Sequence, residues 1–373
     1  LHILLRADAG ALIGAGHVMR CLALAQALQE PTCDARRDPA PNLADTTNRY
    51  RSITCRLIAA DLPERLTARL IAERVLVERI DARPGSKQDL AATLAWVERD
   101  APAAVVLDGY EFGTEYRRAL RARVPLILTF DDLADLPALH ADLVVNAAPT
   151  AAALAYSRIA PGATLLLGPA YAPLRREFRL ARQRAAGVPV GARNAVLVSF
   201  GGSDPLGLTE PVTIALADRL PASVRLLVAV GAGLPEPDRL RASLAKLGDR
   251  LCLHLDAQDM AVLMASSGLA VAAAGGTAGE LAALGIPSVL VIVADNQAPT
   301  PPSEIDRDRI IDARGRPRAE VASVIAARAA ALWAAPAARE RLAGQLAARV
   351  DADGALRIAA ALLAAVCPTT RLN

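Results

Sequence analysis

Residues 2–29 read HILLRADAGALIGAGHVMRCLALAQALQ, and their order decides the fold. His2–Arg6 has the length and apolar character of a buried strand. A glycine-rich turn follows, and an Ala/Leu helix runs from about Val18 to Gln29. The same alternation continues downstream. Ala104–Leu107, Leu126–Phe130 and Leu143–Val145 read as buried strands, each ending in a polar or turn residue. A second series begins near Asn194, with candidate strands Ala195–Phe200, Val224–Val230, Leu251–Leu255, Leu269–Ala274 and Ser288–Val293. Helical stretches such as Asp238–Leu247 and Asp259–Ser267 lie between them. Repeated strand–helix units predict parallel sheets covered on both faces. The expected class is α/β, with two Rossmann-like domains facing across a cleft and ligands at the strands' carboxyl ends.

Composition narrows the function. A length of 373 residues allows about two domains. With 53% hydrophobic and 22% charged residues, a sizeable core can be buried and wholesale disorder is excluded. Only 3% of residues are aromatic, which argues against a nucleic-acid platform built on base stacking. The net charge of +3 is too small to imply a polyanion partner, and no stripe of arginines stands out. Of the basic residues only Lys87 and Lys246 are lysine, which reads as a GC-rich coding bias. Cys21, Cys33, Cys55, Cys252 and Cys367 are scattered and odd in number, as expected in a reducing compartment without a disulfide or metal framework. No apolar run approaches the ~18 residues of a membrane span. The expectation is a cytoplasmic protein with no membrane insertion.

Three glycine-rich turns stand where strands meet helices. The first, Gly10–Arg20, is GALIGAGHVMR. It fails both the G-x-G-x-x-G fingerprint and the lysine-bearing phosphate loop. What remains is Gly14 and Gly16 followed by His17 in a helix's first turn. There the helix dipole is expected to lower the histidine pKa and favour the neutral base. His17 is a general-base candidate; the alternative is that it only caps a turn. The second turn, Ala273–Glu280, is AAGGTAGE. Gly275, Gly276 and Thr277 offer backbone N–H groups for a diphosphate, and Glu280, read as lying in the first turn, offers a carboxylate to ribose hydroxyls. The alternative is an ordinary tight turn with a stabilising acid. The third, Phe200–Pro205, is FGGSDP, in which Ser203 or Asp204 can cap the next helix. Asp108, Tyr110 and the pair Asp131–Asp132 also end strands and could orient a sugar or a base. A paired-carboxylate glycosidase is the competing thought. No H-E-x-x-H or comparable metal spacing occurs.

Taken together, these residues resemble a known family. Arg6-Ala-Asp8 with Gly14-Ala-Gly16-His17-Val-Met-Arg20-Cys21-Leu is similar to the opening of the UDP-2,4-diacetamido-2,4,6-trideoxy-β-L-altropyranose hydrolases of pseudaminic acid biosynthesis. The resemblance continues at Asp108-Gly-Tyr110, Phe130-Asp131-Asp132, His140-Ala-Asp142, Asn146, Leu167-Gly-Pro-Ala-Tyr171 and Glu177-Phe178. In the second half it covers Ser199-Phe-Gly201-Gly202-Ser203-Asp204-Pro205, Ala274-Gly275-Gly276-Thr277 with Glu280, and Ala294-Asp295-Asn296-Gln297. A late Asp351-Ala-Asp353-Gly354 looks like the family's C-terminal turn.

The resemblance implies a GT-B-like enzyme in which the C-terminal half holds UDP. Gly275, Gly276, Thr277 and Glu280 take the diphosphate and ribose side. His17 and Asn296 are the implied catalytic residues. Asp8, Gly14, Gly16, Arg20, Tyr110, Gly201, Gly202, Ser203 and Gln297 are the implied substrate contacts. The implied reaction is inverting attack of water at the anomeric carbon, releasing UDP and 2,4-diacetamido-2,4,6-trideoxy-L-altrose, with no cofactor and no metal. The alternatives are a GT-B glycosyltransferase using a UDP-sugar donor, and a catalytically impaired UDP-sugar-binding protein.

The expected domains are 1–173, carrying the general base, and 194–350, binding UDP. A helix and linker at 174–193 and a C-terminal helix at 351–373 complete the chain. Two polar, proline-containing stretches, 31–51 and 298–309, depart from the family pattern. They read as loops, as insertions or as the product of frame drift.

Overall fold

In the computed structural model the described residues are all but 11–12, 31–52, 186, 232, 258, 299–303 and 368–373. They form two parallel sheets. The first contains β1 (His2–Ala7), β2 (Thr54–Ala59), β3 (Leu76–Arg79), β4 (Ala104–Asp108), β5 (Ile127–Phe130), β6 (Leu143–Asn146) and β7 (Thr164–Leu167). Their spatial order is β3-β2-β1-β4-β5-β6-β7. The second contains β8 (Ala195–Ser199), β9 (Arg225–Val230), β10 (Leu251–Leu255), β11 (Leu269–Ala273), β12 (Ser288–Ile292) and β13 (Ile310–Asp312), in the order β10-β9-β8-β11-β12-β13. Each sheet reverses its winding once, between β1 and β4 and between β8 and β11. These are the switch points at which doubly wound sheets hold ligands.

The central strands are buried on both faces, so they read as continuous apolar runs. In β1, Leu5 packs with Val18 and Leu22 of the helix Gly16–Gln29. Its neighbour Leu4 packs on the opposite face with Val105, Leu107, Phe112 and Leu120. The second sheet buries Val196, Val198, Leu226 and Val228 with Leu216 and Ile325 from its helices.

The chain divides into two units. One is Leu1–Arg176 together with the stretch that begins at Asp353; the other is Glu177–Ala352. The helix Gly354–Val366 therefore belongs with the first unit. Ile358, Ala359 and Leu362 join the core that holds Cys21 and Leu24. Only glycine fits at 354, because a Cβ there would collide with the Ala172 backbone.

The strands read from sequence appear within one or two residues of their expected bounds, but β2, β3, β7 and β13 were not read. β3 and β7 are edge strands that leave Leu76 and Leu165 exposed, so neither has a buried strand's pattern. The stretch 31–51 lies outside the described residues, and so do residues 299–303 of the second departure. The remainder of that departure corrects the loop reading, since Glu304–Arg307 is helical and leads into β13. Arg309 anchors it. Its guanidinium donates to Asp306 Oδ1 at 2.9 Å and to Ser288 Oγ at 2.8 Å, and its carbonyl accepts from Leu290 N–H at 2.7 Å. No single helix among the described residues is long and apolar enough to cross a membrane.

Candidate active site

The first switch point is assembled by strand register. β1 pairs with β4 so that Ala7 lies opposite Asp108. After β1 the chain turns back at Gly14, whose φ of +71° is cheap for glycine alone. Gly14 N–H donates to the Gly10 carbonyl at 2.8 Å, closing the turn. The helix then starts at Gly16 with no side-chain cap. Its first turn stands over the end of β4.

His17 Nδ1 lies 2.6 Å from Asp108 Oδ1. Arg20, three residues on and therefore on the same helix face, donates from Nε to Asp108 Oδ2 at 2.9 Å and from Nη2 to Oδ1 at 2.6 Å. Its Nη1 reaches both oxygens of Asp132, at 2.7 and 2.9 Å. The Tyr110 hydroxyl donates to Asp132 Oδ2 at 2.9 Å, and the Tyr110 ring meets the His17 ring edge-on at 4.9 Å. Arg20 also lies over the Phe130 ring, 5.4 Å from its centroid. Asp108 is fully buried and His17 nearly so.

The electrostatics follow from this packing. Burial opposes charge on His17, but the Asp108 carboxylate outweighs it and holds the imidazole pKa above the ordinary value. This corrects the expectation that the helix dipole lowers it. The carboxylate at hydrogen-bonding distance is the stronger field. Burial alone would raise the Asp132 carboxyl, yet Arg20 wins and keeps it below the usual range. With Nδ1–H donating to Asp108, neutral His17 carries its lone pair on Nε2, the atom a base needs. Nε2 has no hydrogen-bond partner among the described residues.

Asp8 is placed differently from the other residues of its motif. It is buried, and its Oδ1 accepts from Ala60 N–H at 2.6 Å and Asp61 N–H at 3.1 Å. Its Oδ2 is paired with Arg6 at 2.7 Å. That carboxylate is engaged in joining the β1 and β2 ends.

In the second unit, β8 and β11 pair with Ser199 opposite Ala272, so their carboxyl ends are neighbours. After β8 the chain passes through Gly201, at φ +84°, then Gly202 and Ser203. The cap on the following helix is Asp204, accepting from Leu208 N–H at 2.9 Å and Thr209 N–H at 2.8 Å. After β11, Gly275 leads into the helix Gly276–Ala283, which has no side-chain cap, so its first N–H groups are not consumed by one. Thr277 lies in that first turn. Glu280, expected there too, is the fifth residue of the helix, one turn in. Gln297 Oε1 accepts from Val293 N–H at 3.0 Å, and its Nε2 lies beside Gly275. Asn296 is exposed on the short helix Asp295–Gln297 after β12. Thus His17, Gly14, Gly16, Arg20 and Tyr110 gather in the first unit. The turns at Gly201–Ser203 and Gly275–Thr277, with Asn296 and Gln297, gather in the second.

The sequence reading placed Asp108 as a sugar- or base-orienting residue and gave Asp132 no partner. Their hold on His17 and Arg20 was not read. The only signal was that each stands at the end of a strand. Among the described residues no group of three or more His, Cys, Asp or Glu side chains is placed to hold a metal ion.

No family model matches the chain. A UDP-N-acetylglucosamine–N-acetylmuramyl-(pentapeptide) pyrophosphoryl-undecaprenol N-acetylglucosamine transferase from Sorangium cellulosum (strain So ce56) is 31% identical over 299 residues, covering 76% of this chain and 69% of the relative. The chain belongs to the MurG-like family of GT-B glycosyltransferases. Solved structures share the architecture. MurG of Acinetobacter baumannii superposes with a TM-score of 0.57 at 16% identity, covering 97% of this chain and 99% of that one. The UDP-GlcNAc 2-epimerase of Neisseria meningitidis, bound to UDP-GlcNAc, gives 0.61 at 11% identity, covering 97% and 100%. These likenesses establish the GT-B fold of the MurG-like chain.

Proposed function

We propose that the chain is a UDP-sugar-dependent GT-B enzyme in which His17, oriented by Asp108, deprotonates the group that attacks the anomeric carbon. The observation that carries this reading is the 2.6 Å contact between His17 Nδ1 and Asp108 Oδ1. It favours the tautomer in which Nδ1 carries the proton and Nε2 accepts one. The nearby carboxylates Asp108 and Asp132 are both paired with Arg20, so a single base favours one direct displacement, with inversion. UDP is already a good leaving group, so the protein needs mainly donors for its charge. The uncapped helix start at Gly275–Thr277 supplies backbone N–H groups of the kind that bind phosphates.

Transfer to an acceptor hydroxyl is the reading that family membership supports. The Sorangium relative is named for transfer from UDP-N-acetylglucosamine, and the Neisseria epimerase was solved with UDP-GlcNAc. Hydrolysis of a UDP-diacetamido sugar is the second reading. It is favoured by the ordered motifs Gly14–Leu22, Asp108–Tyr110, Ser199–Pro205 and Ala294–Gln297, which resemble those of the pseudaminic acid pathway hydrolases. The same base serves either reaction, since water takes the place of the acceptor.

The deciding experiment incubates the protein with UDP-N-acetylglucosamine and with UDP-diacetamido sugars, without any acceptor. Proton NMR follows UDP release and anomeric configuration. Rapid acceptor-free release with inversion supports hydrolysis. Release only when a hydroxyl acceptor is added supports transfer. Tight UDP binding with no turnover under either condition overturns both and leaves a binding protein.

A further inference from the structure

Beside the His17–Asp108 pair, but outside it, the first unit contains a small pocket of about 50 Å³ between the ends of β4 and β5. By the ~10–15 Å³ that one water-sized sphere occupies, this is room for roughly three to five heavy atoms. Its wall combines opposite hydrogen-bonding characters. Arg117 is 2% exposed, donates from Nε to the Phe112 carbonyl at 2.7 Å and from Nη1 to Thr129 Oγ1 at 2.6 Å, and forms no ion pair among the described residues. Its Nη2 is left without a partner there. Asp131 is 8% exposed, and its Oδ2 accepts from Tyr156 OH at 2.7 Å and Ala134 N–H at 2.9 Å. Its Oδ1 is left over. Leu133 and Leu136 complete the lining with apolar surface, and Leu133 is 40% exposed at the rim.

A buried guanidinium and a buried carboxylate that do not spend these atoms on each other define what fits. An anion would meet Asp131, Asp108 and Asp135, which also line the pocket. A cation would meet Arg117. A group that accepts from Nη2, donates to Oδ1 and offers a methyl to the leucines satisfies every wall. A ligand lacking either function covers one of these groups without pairing it, and so binds less well than one that pairs both.

We propose that this pocket is a specificity subsite for a small neutral amide, an acetamido substituent, with Arg117 donating to its carbonyl and Asp131 accepting from its N–H. Four heavy atoms, N, C, O and CH3, match the volume. Asp108 lines both this pocket and the base, so an amide seated here is held next to the reacting centre. The pocket is read from the first unit alone; its assignment to a sugar substituent rests on the UDP-sugar reading above.

Saturation-transfer NMR on the full chain tests both statements separately. The first probe is acetamide alone, with Leu133→Trp to fill the rim without touching the core and Asp131→Asn to change the acceptor. Saturation of the acetamide methyl in the wild type, falling by more than half in both variants, is the expected result. Equal saturation in the wild type and Leu133→Trp overturns the subsite, whatever Asp131→Asn does to folding. The second probe compares UDP-N-acetylglucosamine with UDP-glucose. The expected preference for the acetamido sugar drops about ten-fold in Leu133→Trp, the scale of one lost hydrogen bond, while the uridine signals persist. No wild-type preference, or one that survives the variant, overturns the assignment to the sugar. Absence of uridine saturation in the wild type overturns the UDP-sugar reading instead and leaves the acetamide result standing on its own.

Discussion

His17 Nδ1 and Asp108 Oδ1 are 2.6 Å apart although 91 residues separate them in the chain. The carboxylate is fully buried, so it cannot swing away to water. It sets which imidazole nitrogen carries the proton. Asp108→Asn keeps the size of the side chain but can present its amide to Nδ1, turning the tautomer over. Turnover is expected to fall by about 10²–10⁴-fold with little change in UDP affinity. His17→Ala is expected to abolish turnover and keep UDP binding. Calorimetric titration of UDP beside a coupled assay of UDP release checks both, and near-normal turnover of His17→Ala rules out the base.

The raised His17 pKa has two consequences of opposite direction. A base acts when neutral, so activity climbs with pH through an acid limb placed above the ordinary histidine value of 6.5. Stability runs the other way. A group whose folded pKa is raised contributes stability that is fully present below its unfolded pKa and lost as pH rises through the folded one. The melting temperature of the wild type relative to His17→Gln should therefore decline as pH rises above the ordinary histidine value of 6.5. A flat difference above that value shows that His17 is not stabilised as imidazolium.

Arg20 stands between two carboxylates, and its Nη2 lies 3.0 Å from His17 Nδ1. Its positive charge lowers the histidine pKa, whereas Asp132 raises it. Arg20→Gln is expected to move the acid limb of the rate profile upward, and Asp132→Asn to move it downward. Mere structural damage would lower rates in both without opposite shifts. Profiles of kcat/KM against pH for the two variants, side by side, decide this.

Gly231 lies against the turn of the second unit. A Cβ there would come 2.5 Å from Gly202 Cα, which is backbone and cannot rotate aside. Gly231→Ala should cost about 1–3 kcal/mol by overpacking and displace the Gly201–Ser203 turn. Thermal melting and UDP titration check this. Lost stability with unchanged UDP affinity would remove that turn from the nucleotide site.

Near the edges of the sheets the sequence reading fell short for physical reasons. β3 carries Leu76, Val77, Glu78 and Arg79 with no residue fully buried, so it lacks a core strand's run. β13 has three residues and depends on the Arg309 contacts with Asp306 and Ser288, which no local pattern announces. The site has the same limit. Asp8 is a substrate contact only by what the family resemblance implies, and in the fold Ala60, Asp61 and Arg6 occupy its oxygens, partners that no local pattern announces.

What the sequence determined by itself was the local grammar: apolar runs that must be buried on both faces, glycines that permit the turns at Gly14 and Gly201, and a histidine in the first turn of a helix. These are short-range constraints, written in the steric freedom of glycine and the burial of consecutive Leu, Val and Ile. Tertiary structure alone decided the partners. The winding reversal that sets β1 beside β4 brings Asp108 under His17, and β5 beside β4 brings Asp132 to Arg20 and Asp131 to the wall it shares with Arg117. Strand order is chosen by packing across the whole sheet. No window of sequence contains it, and so the chemistry of the His17 site became legible only in the folded chain.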